Sequence, residues 1–359
     1  MMGRGHRVML LTPEAAEIYP AAKKLGIPVV AIDIAKKRIS GVLALRRWFT
    51  DHAAQGNNSG EIDIVNSHSS TDSWLAALAL ATMGKKNRPA LIRTRHVSTP
   101  VNNSLFTRWL YTQASAHIVT TGEALRMQLN RENNYPQEML TSVRTGIDLN
   151  RFCPLDKLLV RQKLGVNNRP TLGVVATLRD WKGHEDLLDA LVILRARSMA
   201  NAAWQLLIVG DGPEYQRLKN KITARDLNEV VSLVGNQDNV PEWLSAMDIF
   251  VLPSYGNEGV PQGIMQAMAC GLPVVSTPVG AISEAVAVNT SGLLVATRNP
   301  PQLADALERL MNNATMREAM GARGREIAIA QFGQEVMVEK MEAIFQRYTN
   351  ASKFGHFQS

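Results

Sequence analysis

The 359-residue chain holds only two cysteines, Cys153 and Cys270, far apart in sequence. That number and spacing exclude a disulfide framework and a cysteine-ligated zinc site, and they suit a reducing cytosol. Long apolar runs are missing too. Val8 to Leu11 is shorter than a signal-peptide core, and Trp74 to Met83 falls far below the roughly 20 residues that cross a bilayer. Any membrane contact is therefore expected to be peripheral. There is no internal repeat and no low-complexity tract. No Gly-x-Gly-x-x-Gly follows an apolar run, since Gly210-Asp211-Gly212 continues to Tyr215 where the third glycine belongs. This counts against a nicotinamide oxidoreductase. Lys+Arg 39 against Asp+Glu 32 gives a formal charge of +7. That excess is too small to mark a nucleic-acid binder, but it favours anionic partners such as nucleotide phosphates or a phospholipid surface.

Apolar residues make up 45% of the chain and charged ones 20%, ordinary globular usage. At about 150 residues per domain the length predicts two domains. Short runs rich in Val, Ile and Leu recur throughout, among them Ile62 to Val65, Ala90 to Arg93, Thr171 to Ala176, Gln205 to Val209 and Ile249 to Leu252, each followed by helical periodicity. Unbroken apolar runs are what strands buried on both faces require, so the alternation predicts an α/β fold with parallel sheets. The expected architecture is two Rossmann-like doubly wound domains facing across a cleft, with ligands at the carboxyl ends of the strands. The expected boundaries are 1–150 and 151–333, with a helix over 334–350 returning to the first domain. The stretch from Pro301 to Tyr348 reads as consecutive helices broken at Gly321, Gly324 and Gly333.

The densest signal runs from Leu252 to Gly263, after an apolar run and before the helix predicted over Ile264 to Ala269. Small residues at such a turn admit a ligand close to the backbone, and the helix start offers free amides to an anion or to hydroxyl oxygens. Glu258 stands in this turn, where a carboxylate can accept from two sugar hydroxyls at once. An isolated glutamate is usually a solvated loop charge. Its neighbours argue otherwise. Glu258-Gly259-Val260-Pro261, followed by Ala267-Met268-Ala269-Cys270-Gly271-Leu272-Pro273-Val274-Val275, resembles the signature of family 4 of the retaining glycosyltransferases of GT-B fold.

That resemblance implies a donor-sugar role for the first signature glutamate, Glu258, and a ribose role for a second one separated from it by seven residues. The second position here is Gln266, which keeps an acceptor oxygen but loses the charge. Asn257, Gly259, Val260 and Pro261 are the accompanying donor-binding positions. A second block, Val174 to Leu188, also matches. The family places an arginine and a lysine there against the donor diphosphate. Lys182 matches the lysine; the arginine position is Thr177, so Arg179 is the expected substitute. Gly235, at the end of the run Val230 to Val234, is expected to hold the base through backbone contacts.

In the first half, Ile64 to Asp72 ends a strand and starts a helix with Ser69 or Ser70 as N-cap, which by itself explains the serines. His68 is the candidate acceptor-side residue. His96, in Arg93 to Pro100, occupies the place where the family has a histidine reaching the donor sugar. The basic segment from Lys36 to Trp48 reads first as a surface helix packing Val42, Leu43 and Leu45 on the sheet, and its charge also suits an anionic bilayer. Gly3 to Leu11 resembles the end of the family's first helix and its second strand, so the N-terminal sheet is expected to lack its first strand-loop-helix unit.

The resemblance therefore implies a transferase moving a sugar, with retention, from a nucleotide-diphosphate sugar to a glycan or lipid-linked acceptor, as in polysaccharide or lipopolysaccharide biosynthesis. It would act in the cytoplasm, at the inner face of the cytoplasmic membrane. No cofactor is expected. The sequence contains no Asp-x-Asp, so no metal is expected at the diphosphate and the work falls to Arg179, Lys182 and helix-terminal amides. The competing readings are a noncatalytic nucleotide- or glycan-binding remnant of that family and a Rossmann-type oxidoreductase.

Overall fold

The computed structural model describes every residue except 55–61, 85–87, 97–98, 198–203, 257 and 354–359. The chain divides into two compact units, Met1–Val143 with Val338–Ser359, and Arg144–Met337. Each has its own apolar core.

The first unit runs β1 (Leu10–Thr12), α1 (Ile18–Lys24), β2 (Val29–Ala31), α2 (Ile39–Ala54), β3 (Ile64–Ser67), α3 (Ser70–Ala81), β4 (Ala90–Arg95), α4 (Leu105–Trp109), β5 (His117–Thr120), α5 (Glu123–Asn133) and β6 (Leu140–Ser142). Among the described residues β1 pairs only with β2, and β3 to β6 form a parallel sheet in sequence order. Ser69 is the N-cap of α3. Its hydroxyl accepts from the Thr71 and Asp72 amides while Asp72 accepts from the Ser69 amide, a reciprocal pairing that satisfies the helix start. Helix α2 buries Leu45 and Phe49, with Val42 packed at the core's edge, whereas Leu43 points to solvent. The expected packing of Leu43 was thus wrong. The helix packs on α3, and that narrows the face it can bury.

The second unit continues with α6 (Lys157–Leu164), β7 (Thr171–Val175), α7 (His184–Arg197), β8 (Gln205–Val209), α8 (Tyr215–Ala224), β9 (Val231–Gly235), α9 (Val240–Ser245), β10 (Ile249–Leu252), α10 (Gln262–Ala269), β11 (Val274–Ser276), α11 (Ile282–Ala285), β12 (Gly292–Leu294), α12 (Pro300–Met311) and α13 (Ala314–Phe332). Helix α14 (Gln334–Lys353) follows, and its residues from Val338 onward belong to the first unit, where Tyr348 hydroxyl meets His117 Nδ1 at 3.0 Å.

The second unit's sheet is parallel with order β12-β11-β10-β7-β8-β9. Strands β8 and β10 are buried along their whole length, which explains their unbroken apolar sequences. From β7 the chain winds outward through β8 and β9, then returns to β10 on the other side and winds the opposite way. Right-handed crossovers running in opposite directions put α7 and α10 on opposite faces of the sheet. The reversal lies between β7 and β10, and there the loops leaving the strands diverge and open a crevice.

Two of the expected helix breaks are absent. Helix α13 passes through Gly321 and Gly324 without interruption. A Cβ on Gly321 would lie 2.1 Å from the Gly271 carbonyl oxygen. The glycine permits close packing of α13 on the turn after α10; it does not end the helix.

Candidate active site

A cavity of about 430 Å³ opens at the reversal between β7 and β10. Its wall comes from the three loops that topology brings there: Ala176, Thr177 and Lys182 after β7, Gly210 and Asp211 after β8, and Glu258, Pro261 and Gln262 after β10. Asn236 and Gln237, beyond β9, close one side. Gly263 and Gln266 lie one and four residues after Gln262, so α10 presents all three from one face. The amides of Gln262 and Gly263 head this helix with no carbonyl a turn earlier to bind them.

The loops approach one another closely enough to require glycine. At Gly210, with φ 141°, a Cβ would lie 2.0 Å from the Ala176 carbonyl oxygen; at Gly183, with φ 74°, it would lie 2.0 Å from that of Pro253. A side chain at either position would push the β7 loop off its neighbours and shift Lys182.

Glu258 is held from two sides. Its Oε1 lies 2.7 Å from Lys182 Nζ and accepts from the Ser254 hydroxyl at 3.0 Å. Ser254 is itself fixed by Thr277, whose hydroxyl donates to the Ser254 carbonyl. Ser254 and Thr277 are fully buried, and the Lys182 and Glu258 side chains are 15% and 10% exposed. His184, two residues beyond Lys182, stays neutral. Burial, partly offset by a hydrogen bond with the Arg179 backbone and reinforced by the Lys182 charge, holds it down to about 4. Among the residues lining the cavity Lys182 is the one cation, and it lies against Glu258.

Of the donor-side candidates, Glu258, Lys182, Pro261 and Gln266 meet in this cavity. Gly259 and Val260 continue the loop without lining it. Gly235 contributes through its backbone, its carbonyl accepting from the Gly210 amide at 2.8 Å. Asn257 lies outside the described residues. Arg179 does not line the cavity: it is exposed, with its guanidinium 5.1 Å from the centre of the Trp181 ring, and Thr177 occupies the wall instead. Sequence reasoning missed Gln237, Gln262 and the buried support of Ser254 and Thr277. Gln262 carried a signal, since it directly follows the proline at the N-cap of α10.

The two histidine candidates belong to the first unit. His68 follows β3 and His96 follows β4, at the carboxyl ends of neighbouring parallel strands. Their rings meet, with His68 Nδ1 3.0 Å from His96 Nε2. Alternation sends Arg93 and Arg95 to the other face of β4. Arg95 donates there to the Tyr111 hydroxyl at 3.0 Å, and the Arg93 guanidinium lies 4.5 Å from the Tyr111 ring centre.

Residues 1–151 match the family model described as Glycosyltransferase Family 4, and residues 156–327 match that described as Glycosyl transferases group 1. A lipopolysaccharide core biosynthesis mannosyltransferase of Rhizobium meliloti is 28% identical over 71% of this chain and 73% of its own length. A GDP-mannose-dependent monoacylated alpha-(1-6)-phosphatidylinositol monomannoside mannosyltransferase of Corynebacterium glutamicum is 33% identical over 56% of this chain. The chain spans 55% of that relative's length, and 57% of an N-acetyl-alpha-D-glucosaminyl L-malate synthase of Bacillus anthracis that is 27% identical over 61% of this chain. Among solved structures, a glycosyltransferase of Rickettsia africae has a TM-score of 0.85 at 19% identity, covering 97% of this chain and 91% of its own. Anabaena HepE, solved in complex with UDP and glucose, has a TM-score of 0.80 at 19% identity, covering 96% and 94%. Two family models that together take in nearly the whole chain, and a fold of the same kind, establish that this protein belongs to the family 4 glycosyltransferases of GT-B fold.

Proposed function

We propose that the protein transfers a sugar from a nucleotide-diphosphate sugar to a glycan or lipid-linked acceptor, with retention at the anomeric carbon. The observation that carries this reading is the cavity at the strand reversal, where a held carboxylate, a lysine and a helix start converge. Glu258 would accept hydrogen bonds from two sugar hydroxyls. Lys182 and the amides heading α10 would stabilise the diphosphate as negative charge develops on it, a task that needs donors fixed in advance. Gln266, on the same helix face, would bind the ribose. Arg179 is assigned a supporting role at the phosphates, for which it must leave the Trp181 ring. From the first unit, His96 is assigned to the sugar and His68 to the acceptor side.

No protein nucleophile is required in this scheme. The leaving phosphate oxygen takes the proton of the acceptor hydroxyl as the new glycosidic bond forms on the face from which the diphosphate departs, and Glu258 keeps the sugar oriented. The phosphatidylinositol-linked substrate in the name of the Corynebacterium glutamicum relative, together with the basic segment from Lys36 to Trp48, supports placing the reaction at the cytoplasmic face of a membrane. No helix among the described residues is long and apolar enough to cross one.

The test is turnover of a panel of uridine and guanosine diphosphate sugars, with glycan and lipid-phosphate acceptors. One donor should be consumed with release of the nucleoside diphosphate, and Glu258→Gln should abolish that release while the donor still binds. Binding without turnover in the unaltered protein, whatever the acceptor, would favour the noncatalytic remnant.

A further inference from the structure

The histidine pair belongs to a longer chain of polar contacts. Asn66 and His68 are two residues apart along β3 and its continuation, and Thr94 and His96 are two apart along β4. The pleat therefore puts all four side chains on one face of the sheet. Parallel pairing in the register Asn66 with Ile92 and Ser67 with Arg93 brings the two pairs alongside each other. Thr94 Oγ1 lies 2.9 Å from Asn66 Oδ1, Asn66 Nδ2 lies 3.2 Å from His68 Nε2, and His68 Nδ1 lies 3.0 Å from His96 Nε2.

Hydrogen-bond chemistry gives this chain a direction. An amide nitrogen only donates, so the nitrogen it meets, His68 Nε2, must carry a lone pair. A neutral imidazole with a bare Nε2 carries its proton on Nδ1, which then donates to His96. His96 Nε2 is the acceptor in that bond, so the His96 proton sits on Nδ1. The imidazole planes are 19° apart with centroids separated by 5.3 Å, so the rings meet edge to edge and the shared proton lies near both planes. The Asp72 carboxylate anchors the arrangement by accepting from the His68 amide at 3.0 Å and the Ser69 amide at 2.8 Å.

We propose that Thr94, Asn66 and His68 form a one-way relay that locks His96 in its Nδ1–H form, so that His96 meets its ligand as a hydrogen-bond donor and not as a base. Its ligand is then an oxygen with a free lone pair, such as a sugar hydroxyl or a phosphate oxygen. Asn66, Thr94 and His68 are positioning residues, acting through His96. Among the described residues His96 Nδ1 has no protein partner, which leaves that N–H for a ligand. Burial, chiefly, keeps both rings below the ordinary imidazole range; each ring's proximity to Asp72 opposes this, and His96 lowers His68 further. A neutral pair is what the relay needs. The link from the relay to transfer rests on the assignment of His96 to the sugar.

The experiment is long-range proton–nitrogen correlation on the full chain labelled with ¹⁵N-histidine, at a pH about two units above the ordinary imidazole value. Both His68 and His96 should appear as neutral Nδ1–H tautomers. Asn66→Asp reverses the direction, because a carboxylate only accepts. His68 must then donate from Nε2 and accept at Nδ1, and both rings should switch to Nε2–H. In the transfer assay the same variant should lose about tenfold in kcat with KM little changed, and Asn66→Gln should keep the tautomers of the unaltered protein. Finding His96 as Nε2–H in the unaltered protein overturns the relay, a result that stands even if Asn66→Asp fails to fold. If the tautomers switch while kcat is unchanged, the relay is upheld and the assignment of His96 to the reacting sugar falls.

Discussion

The Lys182–Glu258 ion pair makes a prediction that needs no substrate. The charges lie 2.7 Å apart on side chains only 15% and 10% exposed, so removing either one strands the other in a poorly solvated place. Breaking a buried pair by removing one partner costs about 3 to 5 kcal/mol. Because this pair borders a cavity that admits water, the lower end applies. We predict that Lys182→Met and Glu258→Gln each destabilise the second unit by about 3 kcal/mol. For a domain of this size that lowers its melting temperature by roughly 6 to 12 °C. The double variant removes both charges, leaves the Ser254 hydroxyl an amide oxygen to donate to, and should lose at least about 1.5 kcal/mol less than the sum of the two singles. The assay is calorimetric melting of all four proteins at one pH and salt concentration. Single-variant losses that add within about 0.5 kcal/mol would show that the pair is not coupled and refute the reasoning.

Three other groups of the protein make predictions of the same kind. His117 is held down to about 4, chiefly by burial and secondarily by the Arg347 charge, while the unfolded chain takes up its proton near 6.5. The unfolded state therefore binds more protons between these values, so stability is full above about 6.5 and falls with acidification until about 4, by roughly 3 kcal/mol in all. His117→Asn should flatten that slope in denaturant titrations, and an unchanged slope would contradict it. Burial, chiefly, pushes the Cys270 thiol up to about 12 whereas Cys153 is half-buried, so a thiol reagent should modify one cysteine of the native chain quickly and the second only on unfolding. Two fast equivalents would refute this. Transfer should persist in excess chelator if, as proposed, Lys182 and the helix-terminal amides take the place of a cation at the diphosphate; complete and reversible loss would contradict it.

Much of the fold was legible in the sequence wherever a local pattern had one physical meaning. The unbroken apolar runs of β7, β8 and β10 admit little besides strands buried on both faces, and the Ser69 cap announces the start of α3. Features set by distant contacts were not legible. Gly321 looks like a helix break, and only the Gly271 carbonyl against it reveals a packing glycine. Helix α4 passes directly into a π turn over Leu110–Ala114 that no periodicity signals. At the site, Glu258 and Lys182 stand out separately, but their pairing depends on two loops meeting at the β7 and β10 ends. Arg179 has the right charge near the right strand, yet the side chain turns onto Trp181. The Asn-x-His and Thr-x-His spacings of β3 and β4 were readable as one face of a sheet. Their significance needs the register that pairs them.

The central claim is that the cavity at the β7 and β10 ends binds a nucleotide sugar and that Glu258 orients the sugar for transfer. Its most direct test is product analysis by proton NMR during turnover of the preferred donor, run in parallel with Glu258→Gln. The account predicts that the unaltered protein forms a glycoside with the donor's own anomeric configuration, and that Glu258→Gln binds the nucleotide with little change while product formation falls by at least a hundredfold, about 2.7 kcal/mol in the transition state. An inverted product, or undiminished transfer by Glu258→Gln, would contradict it.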